Sequence, residues 1–264
     1  MRLTVGSVEH DLTSRALVMG IVNTSPESAE ATPTATEALA RARRLVADGA
    51  DIIDIGAVSG RGPAVDVESE IARLVPALEV IRANVSVPIS VDTSSAVVLA
   101  VALAAGAVIA NDVSGFSDLG YLEVAANVDA TVIATARPIS GDVSPLEAAA
   151  KSIQHLAAQA VVSGVSPNRV IVDAGLGLGK SDAASLALLR NTAGLAKLGY
   201  PLLVAASRKP FLGSGLGQPG AEIGGGGLGA VALAIWHGAR IVRTHDVREA
   251  RRVADVVGAI VEAA

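Results

Sequence analysis

The sequence predicts an α/β chain folded as a (β/α)8 TIM barrel. Three observations carry this: short β-prone runs recur eight times, each is followed by a stretch of helical periodicity, and the runs are continuously apolar, as strands covered on both faces must be. An open doubly wound sheet is the alternative, and it requires that one of the eight units be miscounted. No linker or composition break divides the chain. Residues 1–15 are expected to form an N-terminal hairpin or plug at the bottom of the barrel, and residues 16–264 the barrel itself.

In chain order, ALVMGIV (16–22) leads to TEALARARRLVADG, and DIIDIG (51–56) to VESEIARLVPALEVIRA. VPISVD (87–92) leads to SAVVLAVALAAG, AVIAND (107–112) to LGYLEVAANV, and ATVIATA (130–136) to PLEAAAKSIQHLAAQAVVSG. RVIVDAG (169–175) precedes DAASLALLRNTAGLAKLG, PLLVAAS (201–207) precedes LGAVALAIWHGA, and ARIVRTHD (239–246) precedes the closing REARRVADVVGAIVEAA. Several of the helical stretches end in glycine, the residue that most easily takes the left-handed turn closing a helix.

Composition narrows the function classes. Hydrophobic residues make up 51% and aromatics 2%, so the core is aliphatic. A net charge of -5 and a pI near 5.4 leave no electrostatic footprint for nucleic acid or an anionic membrane. Cysteine is absent, which excludes disulfides, zinc-thiolate sites and thiolate catalysis. The apolar stretch 96–110 is too short for a membrane span and the N-terminus carries charges where a signal peptide has its apolar core, so a cytoplasmic location is expected.

Barrel chemistry sits at the C-terminal strand ends, which makes the polar residues there the candidates. They are Asn23; Asp54 with Arg61 beyond it; Asp92; Asn111 and Asp112; Thr135 and Arg137; Asp173; Ser207, Arg208 and Lys209; and Arg243, His245 and Asp246. An isolated Asp at a strand end is ordinarily a cap or turn residue, and Arg243 with His245 could by themselves be a structural ion-pair cluster. IVDAGLGLGKS (171–181) suggests a phosphate loop, but the glycine a Walker motif needs is Ala174, and the dinucleotide spacing fails as well. Its informative residue is therefore Asp173, with Lys180 facing solvent or capping backbone. His10, His155 and His237 lie away from the strand ends and are expected on the surface or in packing.

DAGLGLGK resembles the Asp-Pro-Gly-x-Gly-Phe-x-Lys segment of dihydropteroate synthases, which join a pterin to p-aminobenzoate in folate synthesis. MGIVNTSPES, DIIDIGAVSGRGPA, ISVDT, NDVSG, ASRKPFLG and RTHDV are similar to further segments of that family in the same order, over residues 17–247. The resemblance implies a pterin held deep in the barrel by Asp92, Asn111, Asp173 and Lys209. It also implies a pyrophosphate site at Asn23 with Mg²⁺, and at Arg243 and His245, with Arg61 and Ser207 as further substrate contacts. Asp92, Lys209, Arg243 and His245 would be the catalytic residues. A carboxylate accepting from two adjacent pterin N–H groups makes a charge-assisted pair, and residues two apart on a strand, such as Arg243 and His245, point to one side. The expected partners are a pterin pyrophosphate, an amine acceptor and a second copy of the chain as a homodimer.

The departures from the pattern cluster. Family phenylalanines correspond to Ala29 and Leu178, a proline to Ala174, and the Met-His-Met after the fifth strand to ATA; Val58–Pro63 replaces Glu-Ser-Thr-Arg-Pro-Gly, and the first loop is shortened. Losing two aromatic walls removes about 2–4 kcal/mol of apolar contact, so p-aminobenzoate is expected to bind poorly. Two readings stay open: a transferase that ionises a pterin pyrophosphate toward this or another amine, and a non-catalytic pterin-binding paralogue. A methyltetrahydrofolate methyltransferase on the same barrel is disfavoured by the SRK and Arg-x-His elements.

Overall fold

The structure, a computed structural model, describes all residues except 29, 59–64, 139–142, 215, 219–223 and 264. Eight parallel strands close on themselves: β3 (Leu17–Asn23), β4 (Ile52–Gly56), β5 (Ile89–Asp92), β6 (Ile109–Asp112), β7 (Thr131–Thr135), β8 (Val170–Asp173), β9 (Leu202–Val204) and β10 (Ile241–Thr244). Pairing of Ile241 with Leu17 brings the last strand beside the first and eliminates the open sheet. Preceding them, β1 (Arg2–Val5) and β2 (Val8–Asp11) form an antiparallel hairpin turning at Gly6 and Ser7.

Alternation along each strand divides the interior in two. Val18, Ile53, Val91, Val132 and Val172 face outward and join the aliphatic layer beneath the helices. Met19, Ile52, Ile109, Ile133, Ile171 and Ile241 face inward and fill the lower barrel together with Leu3, Val5 and Leu12 of the N-terminal segment. The hairpin thus packs against the barrel's lower interior, and Thr131 Oγ1 donates to the Thr4 carbonyl at 2.7 Å beside it.

Between the strands run α1 (Ala35–Ala47), α2 (Val67–Arg82), α3 (Ala96–Ala104), α4 (Tyr121–Ala126), α5 (Pro145–Val162), α6 (Asp182–Arg190), α7 (Thr192–Ala196), α8 (Pro210–Ser214) and α9 (Gly224–Trp236), and α10 (Val247–Glu262) follows the last strand. Their starts are written in the sequence: Thr34, Asp66, Ser95, Ser144 and Ser181 each accept from a backbone N–H of the first turn, and Thr34 completes a capping box with Glu37. Among the described residues no helix is long and apolar enough to cross a membrane.

Three local differences from expectation have physical causes. The single helix expected over 182–199 breaks at Asn191, whose Nδ2 turns back onto the Ala187 carbonyl while Thr192 Oγ1 takes that of Leu189. The short α8 begins with proline, whose fixed φ suits a first helical turn. The helix expected from residue 228 starts earlier, at Gly224, within a glycine run of poor intrinsic helicity.

Candidate active site

The inward alternation that fills the lower barrel with isoleucine continues upward into a polar floor. Two residues beyond Ile52 stands Asp54, two beyond Ile109 stands Asn111, two beyond Ile171 stands Asp173, and two beyond Ile241 stands Arg243. Asp92, at the end of β5, pairs in register with Asn111 on one side and Gly56 on the other.

These groups are bonded to one another. Arg243 Nε donates to Asp54 Oδ2 at 2.7 Å and its Nη2 to Asp92 Oδ2 at 2.8 Å. Asn111 Nδ2 lies 3.3 Å from Asp54 Oδ1. The Asp54 side chain is fully buried, whereas Asp92 keeps 23% of its side-chain surface open to the cup. Burial pushes the Asp92 carboxyl up to about 7, with Arg243 opposing and Asp54 adding to the rise. Burial works against the Arg243 charge too, but Asp54 and Asp92 outweigh it and hold the guanidinium charged.

On the facing wall, Asp173 Oδ1 accepts from the Gly175 N–H at 2.9 Å. Gly175 has φ +65°, and a side chain there would collide with the Ala136 carbonyl oxygen, so the turn that presents Asp173 requires glycine. Burial raises the Asp173 carboxyl, with Lys209 and the Gly175 N–H opposing. Lys209 donates to the Leu176 carbonyl, and burial brings its ammonium down to about 8, against the attraction of Asp173. Lys180 caps backbone, its Nζ reaching the Ala136 and Gly175 carbonyls at 2.6 and 2.9 Å.

Around the mouth, Ser207 Oγ lies 3.4 Å from His245 Nδ1 and accepts from the His245 N–H at 3.3 Å. Arg41 holds the His245 carbonyl at 2.8 Å and Glu30 at 3.0 Å; Glu30 also meets Arg208, which pairs with Asp246 at 2.7 Å. Asn23 ends β3 with its carbonyl bonded to Thr32, and among the described residues its carboxamide has no hydrogen-bond partner. The structure therefore gathers Asp92, Asn111, Asp173, Lys209 and Arg243 in one cup, with Asn23, Ser207 and His245 at strand ends around it. Arg243 is bonded to Asp54 and Asp92, and it stays close enough to His245 to oppose protonation of the imidazole. Arg61 lies outside the described residues, as does Ala29.

Asp54 is the residue the sequence reading noticed but left out of the site. Its signal was the strand alternation in DIIDIG, which sets it on the same face as Gly56, beside Asp92. Of the rim acids, Asp246 stands at a strand end, whereas Glu30 carried no such signal, because only tertiary packing brings it to Arg41 and Arg208.

Burial, with Arg243, Arg208 and Arg41 nearby, pushes the His245 imidazole down to about 4. An unfolded histidine titrates near 6.5, so between those values the unfolded chain binds more protons and stability falls as pH drops through the window. His245→Gln is expected to remove an acid-side loss of the order of 2 kcal/mol, allowing for partial solvent screening. Urea titrations near pH 7 and pH 4 read this; an unchanged pH dependence would refute it.

Comparison with known proteins agrees with this geometry. The profile of the family described as "Pterin binding enzyme" matches residues 19–245. The chain is 39% identical over 264 residues to "Inactive dihydropteroate synthase 2" of Mycobacterium tuberculosis (strain ATCC 25618 / H37Rv), covering 93% of this chain and 83% of that protein. It is 36% identical over 278 residues to the dihydropteroate synthase of Synechocystis sp., covering 98% and 94%. A solved structure of Xanthomonas albilineans dihydropteroate synthase with 4-aminobenzoic acid superposes with a TM-score of 0.90 at 33% identity, covering 98% of this chain and 97% of that one. With the family profile spanning all eight barrel strands save the first two residues of β3, the chain belongs to the pterin-binding enzyme family, as a divergent relative of the dihydropteroate synthases.

Proposed function

We propose that the chain is a dihydropteroate synthase-like transferase of folate biosynthesis. It would join 6-hydroxymethyl-7,8-dihydropterin pyrophosphate to p-aminobenzoate or another amine and release pyrophosphate. The observation that carries this reading is the cup itself: the carboxylates of Asp92 and Asp173, the Asn111 carboxamide and Lys209, at the ends of β5, β6 and β8 and just beyond β9, lie above the apolar lower barrel.

In this reading the pterin's aminopyrimidinone edge donates to Asp173, while Asp92, Asn111 and Lys209 meet its remaining polar atoms. The bond between the pterin methylene and the pyrophosphate oxygen breaks with both electrons leaving on pyrophosphate. The amine lone pair then forms the C–N bond, and the amine loses a proton to solvent. No protein nucleophile is required. Asp92 and Asp173 favour developing positive charge on the ring, and Arg243, His245 and Arg61 favour the departing anion. For Arg243 to serve the anion it must exchange Asp54 and Asp92 for phosphate oxygens.

Mg²⁺ fits the residues present. Asn23 offers a hard carboxamide oxygen, and the described residues contain no cluster of three acidic or histidine ligands, so the rest of the shell would come from phosphate and water, as Mg²⁺ commonly arranges. When bound there, the ion would supply charge neutralisation for the leaving group.

We further propose a cytoplasmic homodimer in which residues 16–264 are the working barrel and 1–15 its plug. Leu233 and Trp236 of α9 and Val256 and Ile260 of α10 leave exposed apolar surface on two helices packed side by side, which suits a second copy.

The second reading, a non-catalytic pterin binder, is favoured by the departures in the second-substrate loops and by the name "inactive" on relatives at 39% identity. Incubation with the pterin pyrophosphate, Mg²⁺ and p-aminobenzoate separates the two. Release of pyrophosphate is the expected result, with pteroate if p-aminobenzoate is the amine and without it if another amine is; tight pterin binding without release overturns the transferase.

A further inference from the structure

We propose that the cleft between the N-terminal ends of α5 and α6 binds a small monocarboxylate with an apolar body. The site adjoins the strand-end cup, Lys180 lying within electrostatic reach of Asp173 and Lys209, but does not depend on the reaction proposed there. The half-open cleft has a volume of about 180 Å³, and Pro145 and Ala149 of α5 and Ala184 and Leu188 of α6 line it. That volume admits a single six-membered ring and little more.

Two cations, Arg137 and Lys180, border this apolar space. Arg137 Nη1 donates to the Val113 carbonyl at 3.0 Å, and Lys180 Nζ to the Ala136 and Gly175 carbonyls at 2.6 and 2.9 Å. Two of the three ammonium hydrogens are thereby used and one remains. Among the described residues neither cation has a carboxylate within ion-pair distance. Burial lowers the Lys180 ammonium to about 8 against the attraction of Asp173, and Arg137 beside it adds a smaller effect in the direction of burial. Two like charges thus border the apolar cleft: Lys180 is offset by Asp173 behind it and by two backbone carbonyls, and Arg137 by the Val113 carbonyl. A bound carboxylate would relieve that repulsion and accept the remaining hydrogens. Both helices begin at the cleft, and each carries a carboxylate in its first turn, Glu147 and Asp182, which offsets the positive end of its dipole. An apolar lining discriminates against phosphate, which keeps more of its hydration, and favours an acid whose hydrocarbon part is buried.

The test is an amide NMR titration of the intact chain with cyclohexanecarboxylate, with cyclohexylmethanol and inorganic phosphate as controls. Saturable shifts at Ala149, Ala184 and Leu188 are expected, with binding at least tenfold weaker in Arg137→Gln and in Lys180→Met, and at least tenfold weaker for either control. Arg137 is exposed, so its variant carries the test should Lys180→Met fail to fold. Shifts confined to the strand-end cup, undiminished binding in Arg137→Gln, or equal binding of the alcohol or phosphate would overturn the proposal.

Discussion

Asp173→Asn is expected to weaken pterin binding by about 100-fold while leaving the chain as stable as before, or more so. The two effects separate because the carboxylate has one role in the free protein and another toward ligand. In the free protein it accepts the Gly175 N–H at 2.9 Å, a bond the carboxamide oxygen of Asn can take over. Its charge is disfavoured by burial, so a neutral isostere removes a cost. Toward a pterin, however, one of its two acceptor atoms becomes an NH₂ that faces the ligand's own N–H groups. Losing a charge-assisted pair and leaving a donor unpaired amounts to about 3 kcal/mol, which is the 100-fold. Fluorescence titration with pterin and urea unfolding are the paired measurements; parallel loss of affinity and stability would mean that Asp173 is a structural residue.

Arg243→Met should have the opposite signature, a stability loss of about 3–5 kcal/mol, the usual consequence of removing one partner from a buried ion cluster. Asp54 and Asp92 would then face each other without their shared guanidinium. Burial already sets Asp92 near 7 with Arg243 present, and removing the cation moves it higher. A carboxyl whose folded value lies above its unfolded value contributes stability below about pH 4 and loses it as pH rises through the folded value. The deficit of the variant should therefore be small in acid and grow above about pH 7. Urea midpoints measured across that range give the answer, and a pH-independent deficit would mean that the cluster is not what holds the floor.

The barrel was legible because its signals are local and repeated: eight apolar runs with polar residues at their ends, each followed by a stretch of helical periodicity that often closes on glycine. Asp92, Asn111 and Asp173 were legible for the same reason, since strand ends and alternation place them without knowledge of neighbours. The orientation of Arg243 was not. Its partners sit 189 and 151 positions away in sequence, and only closure of β10 onto β3 and the register of β4 and β5 bring them within reach. The break at Asn191 was hidden by a helical periodicity that runs straight through it, because a side chain competing for its own backbone leaves no mark on the apolar pattern.

The hairpin of Arg2–Asp11 brings Leu3, Val5 and Leu12 against the inward isoleucines of the lower barrel. Because strand side chains already fill that half, cutting the hairpin away would wet an apolar underside without opening a second door to the strand ends.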